Sequence, residues 1–308
     1  MTDPSAPFPA SSPERTGILL GVGAYALWGF LPLYLKLLTH VPAVQVLAHR
    51  IVWSAIMLAG VVLVLKRGRG ILAAATRRTL LMLTASAFFI AVNWLVYIWA
   101  VQHEHVLDAS LGYFINPLVN VALGVAVLGE RVRRVQGVAI ALAATGVAIL
   151  AFESSGSLWI SLVLAVSFGT YGLIRKVVAI DALGGLLIET LLLAPVALAV
   201  LFAAHAHGDS AFGQDRATDG LLVIAGAVTA APLLLFAAAA RRMPYAALGL
   251  LQYVAPTLQF ALAVFVFGEH LRPANIASFA LIWVGLAVYA TDSVRAARQT
   301  GQGRARLA

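Results

Sequence analysis

The sequence predicts an all-α integral membrane protein whose ten transmembrane helices form two inverted five-helix repeats. Three observations lead to this fold: a strongly apolar composition, ten apolar windows of membrane-spanning length, and an internal repeat. Of the 308 residues, 61% are hydrophobic and only 11% are charged. The mean hydropathy of +0.93 accompanies a composition far outside the usual range of soluble domains. Cysteine is absent, which excludes disulfides and thiol chemistry.

Each window holds about 20 mostly apolar residues, the length needed to cross the hydrocarbon core. The windows are continuous apolar runs instead of the alternating strands of a membrane barrel, so each is expected to be a helix. In chain order they are Gly17–Leu35, Val44–Leu65, Thr79–Gln102, Ala109–Gly129, Val135–Phe152, Ser154–Ile174, Ala182–Ala204, Gly220–Ala240, Met243–Gly268 and Ala274–Thr291.

The domain organisation follows from a repeat at an offset of 139 or 140 residues. The aligned pairs include Pro117 with Pro256, Gly129-Glu130 with Gly268-Glu269, Gly146 with Gly285, and His49 with Glu189. Because each half has an odd number of helices, the second copy must cross the membrane in the opposite sense, as is typical of carriers. We expect repeats over residues 17–153 and 154–293, a disordered tail over 1–16 and a basic tail over 294–308.

Basic residues divide unequally between the two sides of this topology. With Arg15 inside, Lys66-Arg67, Arg133-Arg134 and Arg175-Lys176 fall on the same side, whereas the other side has few basic residues. The positive-inside rule then places both termini in the cytoplasm of a bacterial inner membrane. The net charge of +8 belongs to the loops of an integral protein, so no nucleic-acid partner is expected.

Several motifs resemble one known family. They are Leu27-Trp28-Gly29, the run from Ala48 to Ser54, Asn93-Trp94, the run from Ala109 to Asn120, Gly129-Glu130-Arg131, Ile188-Glu189-Thr190 and Gln252-Tyr253. Together they resemble the RarD-type members of the EamA group, in the drug/metabolite transporter superfamily, over about residues 14–295. The resemblance implies ten helices in two repeats and export or exchange of a small metabolite or drug. It leaves the substrate open.

Ionisable residues at helix depth are the first candidates for a functional site. A carboxylate there costs roughly 2.5–3.5 kcal/mol on insertion scales and usually is paired or faces a polar cavity. Glu189 is therefore either a coupling group or a buried structural carboxylate. His49 is a candidate proton carrier or a core histidine. Arg50 is expected to attract an anionic group, to pair with Glu189, or to snorkel to the interface.

Prolines and polar aromatic positions form a second set of candidates. Pro117 and Pro256 are candidate helix breaks, because each removes a backbone donor and frees the carbonyl four residues earlier; the alternative is a packing kink. Amide and aromatic side chains are expected either to line a pocket for a moderately polar molecule or to hold helices together. These residues are Asn93, Trp94, Tyr113, Asn116, Asn120, Gln252 and Tyr253.

Together these features predict a secondary active transporter that works by alternating access. Its substrate is expected to be a small metabolite, amino acid or drug-like solute, exported or exchanged across the inner membrane. Proton coupling is a hypothesis that depends on Glu189 and His49. The expected partners are the solute, protons and the lipid bilayer, while the oligomeric state stays open.

Two other functional classes stay as alternatives. One is a membrane-embedded enzyme, although no His-Glu-x-x-His or Gly-x-Ser-x-Gly motif is present; the other is a non-transporting partner subunit, although the loops are short. No cofactor or metal is expected. His103-Glu104-His105 and His205-Ala206-His207 lie at helix ends, and neither brings three ligands to one face.

Overall fold

The computed structural model describes residues 13–129, 134–153, 158–240, 242 and 251–305, and every regular element in these ranges is a helix. We number the α-helices in chain order. They are α1 (Pro13–Gly29), α2 (Leu31–Lys36), α3 (Ala43–Val64), α4 (Gly68–Ala74), α5 (Arg77–Gln102), α6 (Val106–Leu128), α7 (Arg134–Glu153), α8 (Leu158–Val177), α9 (Ala182–Ala206), α10 (Arg216–Ala240), α11 (Val254–Ala261) and α12 (Pro273–Ala305). A π-helical turn, Leu262–Val266, extends α11.

The apolar helices correspond to the ten windows of the sequence. Seven segments within the described residues are long and apolar enough to span a membrane, and three shorter apolar helices cover Arg134–Ile149, Val254–Val266 and Pro273–Gly285. The expected ninth helix begins at Met243, in a stretch that lies outside the described residues. The all-helical membrane fold predicted from the sequence is confirmed.

The helix packing follows a pseudo-twofold pattern in which each half repeats the contacts of the other. In the second repeat, α8 corresponds to α1, α9 to α3, α10 to α5, α11 to α6 and α12 to α7. Three self-related pairs pack against each other: α3 with α9, α7 with α12, and α6 with α11. The other extensive contacts between the repeats come as matched pairs: α6 with α8 and α1 with α11, α5 with α8 and α1 with α10, and α3 with α10 and α5 with α9.

Close helix approaches obey the same pseudo-symmetry. A Cβ added at Gly146 would lie 2.8 Å from the Ser278 carbonyl oxygen, and one at Gly285 would lie 2.7 Å from the Ala139 carbonyl oxygen. The four positions form two pairs that are each 139 residues apart. Two such glycines therefore bring α7 and α12 to backbone contact, since any larger residue would push these helices apart.

Several details differ from the sequence-based expectations. The first window is divided at Phe30, just before Pro32, into α1 and α2. The expected interruption at Pro117 is wrong, because α6 is a continuous helix from Val106 to Leu128; one missing backbone donor is tolerated within a membrane helix when its neighbours hold it. Helix α1 begins at Pro13, inside the tail expected to be disordered, and α12 continues to Ala305, inside the basic tail.

The helix order places the ends of the bundle on opposite faces, which we call the Gln45 face and the Arg67 face. On the Gln45 face, the Gln45 side chain donates to the Asp209 carbonyl (2.8 Å) and accepts from the Ala211 amide (3.0 Å). On the Arg67 face, Arg67 forms an ion pair with Asp181. Contacts between the first and second repeats therefore connect the halves at both faces.

Candidate functional site

Helices α3 and α9, which cross at the pseudo-twofold axis, each carry one deeply buried charged residue. Arg50 lies seven residues after the start of α3 at the Gln45 face, and Glu189 lies seven residues after the start of α9 at the Arg67 face. Both are therefore about 10 Å along their helices, from opposite faces. Arg50 is 3% exposed and Glu189 is 1% exposed. The inverted repeat has thus placed opposite charges at comparable depths.

The Arg50 guanidinium lies among neutral groups. Its Nε donates to the Thr229 hydroxyl at 3.0 Å, and its Cζ lies 5.2 Å from the centre of the Trp94 ring. Tyr97 and Tyr113 are close enough to interact with it electrostatically. Nη1 has no hydrogen-bond partner, and within the described residues no carboxylate forms a salt bridge with Arg50. The expected Arg50–Glu189 pair is therefore wrong, and so is snorkelling to the interface.

Glu189 has protein partners of its own. The Ser86 hydroxyl donates to its Oε1 at 2.6 Å, and Arg175 Nη1 lies 3.7 Å from the same oxygen. The Tyr171 side chain also interacts with this carboxylate. The carboxylate is thus neutralised by a cation from α8 and oriented by a hydroxyl from α5, so three helices meet at this charge.

Arg175 reaches Glu189 because α9 begins with small residues. Its Nη2 donates to the carbonyl of Asp181 at 3.2 Å, and a Cβ at Gly185 would overlap the guanidinium. Asp181 in turn caps α9 by accepting from the Gly184 amide at 2.6 Å. The groove at Gly185 therefore admits the arginine to the bundle interior, where any side chain at this position would exclude it.

His49, the repeat counterpart of Glu189, lies in a different environment. Its ring stacks on Phe212 with 5.2 Å between the centroids, beneath the loop that Gln45 holds at the Gln45 face. Glu189 contacts Ser86 and Arg175, not His49. The acid and base pair that a membrane-embedded enzyme would require is therefore not assembled from these two residues in the described part of the chain.

The predicted amide residues divide between two roles. Asn93 Nδ2 donates to the Leu164 carbonyl (3.0 Å) and to the Ser167 hydroxyl (3.1 Å), while the Tyr113 hydroxyl donates to Asn93 Oδ1 (3.0 Å). Asn116 donates to the Ala165 carbonyl at 3.2 Å. These bonds hold α5 and α6 to α8. Tyr113 and Trp94 also face Arg50, whereas Asn120 contacts Asn116 and is exposed.

Gln252 and Tyr253 form a turn, and α11 begins directly after them at Val254. Pro256 lies in the first turn of α11, where its missing N–H would have no intrahelical partner in any case. Its carbonyl accepts from the Ser110 hydroxyl at 2.8 Å. Both Gln252 and Tyr253 are half-buried.

The histidines of the two helix-end clusters make local contacts. His103 Nδ1 lies 2.8 Å from the Trp99 carbonyl oxygen, and His207 Nδ1 lies 2.7 Å from that of Ala203. His105 pairs with Asp108 at 2.9 Å. Within the described residues, no group of three or more His, Asp or Glu side chains is placed to hold a metal ion.

Known proteins resemble this chain over nearly its whole length. The model of the EamA-like transporter family matches residues 15–152. RarD of Streptomyces exfoliatus is 47% identical over 300 residues, which cover 97% of this chain and 94% of that protein. The chain belongs to the EamA-like transporter family. RarD of Escherichia coli K12 is 44% identical over 290 residues, covering 94% and 98% of the two chains.

A further relative and a solved structure also resemble this chain. A transporter of Pseudomonas aeruginosa is 46% identical, with 95% of this chain and 99% of that protein covered. A solved crystal structure that is 18% identical aligns with a TM-score of 0.59 over 91% of this chain and 98% of the other, which shows the fold alone. The RarD-type resemblance inferred from the motifs is confirmed, and the chain is a multi-pass membrane transporter.

Four residues around Arg50 and Glu189 were not among the candidates from the sequence: Ser86, Tyr97, Arg175 and Thr229. A signal existed for two of them. Ser86, Asn93 and Tyr97 are spaced by seven and four residues, which places them on one face of α5. The sequence groups Arg175 with the basic residues of a loop, because its position in the last turn of α8 does not reveal that its side chain points inward. Thr229 is an isolated polar residue in an apolar helix and gives no comparable pattern.

Proposed function

We propose that the protein is a secondary active transporter that carries a small metabolite, amino acid or drug-like solute across the bacterial inner membrane by alternating access. The Gln45 face is then periplasmic and both termini are cytoplasmic, in keeping with the basic residues around the Arg67 face. Transport is outward or by exchange. Substrate contacts come from residues around Arg50, and Glu189 carries the coupling proton.

One observation carries this proposal: opposite charges lie at equal depths on the two self-related helices of a pseudo-twofold bundle. Two equivalent packings of the same parts, each open to one side, are what such repeats make available, with the site near the midplane. A rearrangement of α3 against α9 would change the surroundings of Arg50 and Glu189 together. The contacts between the two repeats at both faces are the contacts that would close the transport path on either side of the membrane.

Proton coupling follows from the partners of Glu189. Its charge is balanced by Arg175, and its hydrogen bond comes from Ser86. Protonation of the carboxylate would remove the attraction for Arg175, which joins the start of α9 to the end of α8. Proton uptake would thereby weaken a contact between two helices of the second repeat, and this provides a route from protonation to helix movement.

The test is solute flux in liposomes that contain the purified protein. An imposed pH gradient is combined with labelled amino acids, small carboxylates and chloramphenicol, and the wild type is compared with Glu189→Gln. We expect gradient-driven accumulation of at least one solute by the wild type and its loss in the variant. Glu104→Gln is the matched control, because Glu104 is an exposed carboxylate in a turn.

Each other outcome has a defined meaning. Saturable flux that ignores both the gradient and Glu189→Gln would remove the coupling part of the proposal and leave a facilitator. Absence of flux for every solute, from protein that remains folded in the liposomes, would overturn the transport proposal and favour the non-transporting partner subunit.

A further inference from the structure

Arg50 is a buried cation without a counter-charge. Its side chain is almost fully enclosed, its Nε bonds only to the Thr229 hydroxyl, and its Nη1 has no partner. Across the described residues, ion pairs to other arginines occur at Arg67 and Arg175, but none reaches Arg50. The part of the chain that the structure describes therefore leaves the charge of this guanidinium uncompensated.

An uncompensated charge in this position is energetically costly. A buried cation is normally paired with a carboxylate, because an unpaired charge away from water is destabilising. Charged residues within membrane helices commonly mark substrate pathways. The Trp94 ring and the tyrosines around Arg50 provide dipoles and a π face, but no negative charge. The natural complement of this arrangement is an anion that enters and leaves with each transport cycle.

Tyr97, which interacts electrostatically with Arg50, adds a second unpaired donor. It is 2% exposed, its hydroxyl has no hydrogen-bond partner, and its ring lies 5.6 Å from that of Tyr113. Tyr113 differs, because its hydroxyl already donates to Asn93. Arg50 Nη1 and the Tyr97 hydroxyl are thus free donors on neighbouring groups, and a planar guanidinium is well suited to oxygen anions.

We propose that Arg50 and Tyr97 bind the oxyanion of a small organic acid, a carboxylate or a phosphate monoester, whose apolar part contacts Trp94 and Tyr113. This assignment rests on the proposed transport function and gives its substrate class. The aromatic faces favour an acid with an unsaturated or apolar body over a sugar. Neutral amides and alcohols of the same shape leave the guanidinium uncompensated, and they bind weakly.

The test uses acids paired with neutral analogues of similar shape. Thermal unfolding of the purified protein in detergent is followed with benzoate against benzamide, phenylacetate against phenylacetamide, and phenyl phosphate against benzyl alcohol. We expect at least one acid to raise the Tm in a saturable way while its neutral partner does not. The carboxylate and phosphate arms distinguish the two sources of the oxyanion.

Variants then locate the binding energy. Arg50→Gln is expected to weaken binding of the responding acid at least tenfold, and Tyr97→Phe by several-fold, whereas Arg272→Gln, which removes an exposed charge at the Gln45 face, leaves it unchanged. Arg50→Lys keeps the charge but loses the planar fork, so it retains part of the affinity. Without ligand, Arg50→Gln should unfold at the same temperature as the wild type or higher, since it removes an unpaired buried charge.

Three results would overturn this inference: no acid raises the Tm, the neutral partners act as well as the acids, or Arg50→Gln unfolds much earlier in the absence of ligand. Its failure is distinguishable from failure of transport. Flux of neutral solutes with inert acids would leave the transport proposal intact and remove this one. Acid binding that depends on Arg50, without flux of any solute, would support this inference and overturn the transport proposal.

Discussion

Arg50 and Glu189 occupy related places in the two repeats, yet their surroundings differ in one respect. Glu189 is buried with a protein counter-charge, Arg175, and with a hydroxyl donor, Ser86. Arg50 is buried to a similar extent with one hydroxyl acceptor, Thr229, and aromatic neighbours, but with no carboxylate in the described part of the chain. One site is electrostatically complete and the other is not.

This difference shows that duplication of the repeat sets where a buried charged residue lies but does not set which charged groups surround it. The α3–α9 crossing gives both charges comparable depths, and the equivalent helices α10 and α5 give each a hydroxyl partner, Thr229 and Ser86. The difference lies in the counter-charge, which Arg175 of α8 supplies to Glu189 alone among the described ion pairs of these two residues. A complete charge site holds helices together and can respond to a proton. An incomplete one is suited to a ligand that brings the missing charge.

The largest expected effect is a stability difference between the two cations. Arg175→Gln removes the counter-charge of Glu189 and is expected to lower the free energy of unfolding by about 3–5 kcal/mol, the usual cost of breaking a buried ion pair. Arg50→Gln removes a charge that has no counter-charge and should cost nothing. Denaturant titration in mixed micelles gives both values.

A double variant separates the pair from the packing of the arginine stem. Arg175→Gln combined with Glu189→Gln should recover most of the lost stability, because no unpaired charge remains. Equal losses in Arg175→Gln and Arg50→Gln would contradict the comparison and would mean that Arg50 is stabilised by a partner of its own.

The hydroxyl partners of the two charges give the next effect. Ser86→Ala removes a donor from a buried carboxylate, and hydrogen bonds to charged groups contribute about 1.5–3 kcal/mol; we expect a loss in that range. Thr229→Val removes the only bond to Arg50 Nε and should cost a similar amount, but it should also alter acid binding. Unfolding curves with and without benzoate measure both. A Ser86→Ala protein as stable as the wild type would show that water replaces the hydroxyl.

The fold could be predicted from the sequence because its determinants are local and repeated. Continuous apolar runs set the helices, and the pair Gly146 and Gly285, aligned by the repeat in the sequence, lies where α7 and α12 come into backbone contact. The prolines show the limit of such local reading, because α6 continues past Pro117 and α11 contains Pro256. Proline removes one backbone hydrogen bond, but the packing of neighbours decides whether the helix continues.

The site was less predictable because it depends on where long side chains go. His49, Arg50, Trp94, Tyr113 and Glu189 were chosen as polar groups within apolar helices. Which of them pair is a tertiary property: Arg175 reaches Glu189 through the groove at Gly185, which no spacing reveals. For the same reason Asn93 and Asn116, expected in a pocket or between helices, could not be assigned to either role before their carbonyl partners were known.

Filling the groove at Gly185 is expected to have a smaller effect. Gly185→Ala places a methyl group where the Arg175 guanidinium lies, so the flexible side chain must move away from Glu189. Overpacking costs about 1–3 kcal/mol, partly offset by about 1 kcal/mol from the better helix propensity of alanine. Gly137→Ala is the control, because open space surrounds that position in α7, and it should be neutral or stabilising. If Gly185→Ala is equally neutral and keeps coupled flux, Arg175 is not required beside Glu189.

The smallest effect extends the comparison to a charge whose partners are backbone amides. Glu269, in the loop after the π-helical turn, accepts from the amides of Val106 (2.9 Å) and Leu107 (2.8 Å) at the start of α6. Burial nevertheless raises the pKa of this carboxyl above its ordinary value of 4.5, and the nearby Asp108 adds to the rise, while the two amides and Lys36 oppose it.

The folded state then keeps the proton to higher pH than the unfolded state, so this group's contribution to stability is fully present below pH 4.5 and is lost as the pH rises through the folded pKa. Glu269→Gln should flatten the fall in Tm across that window. Asp215 provides the opposite sign, because Thr218 holds the pKa of its carboxyl below its ordinary value of 3.8. Its contribution to stability is present above pH 3.8 and is lost as the pH falls through the folded pKa, so Asp215→Asn should lower Tm above that window and match the wild type below it. A Glu269→Gln curve parallel to that of the wild type would show that the two amides fully compensate burial, and hence that backbone partners complete a charge site as Arg175 does for Glu189.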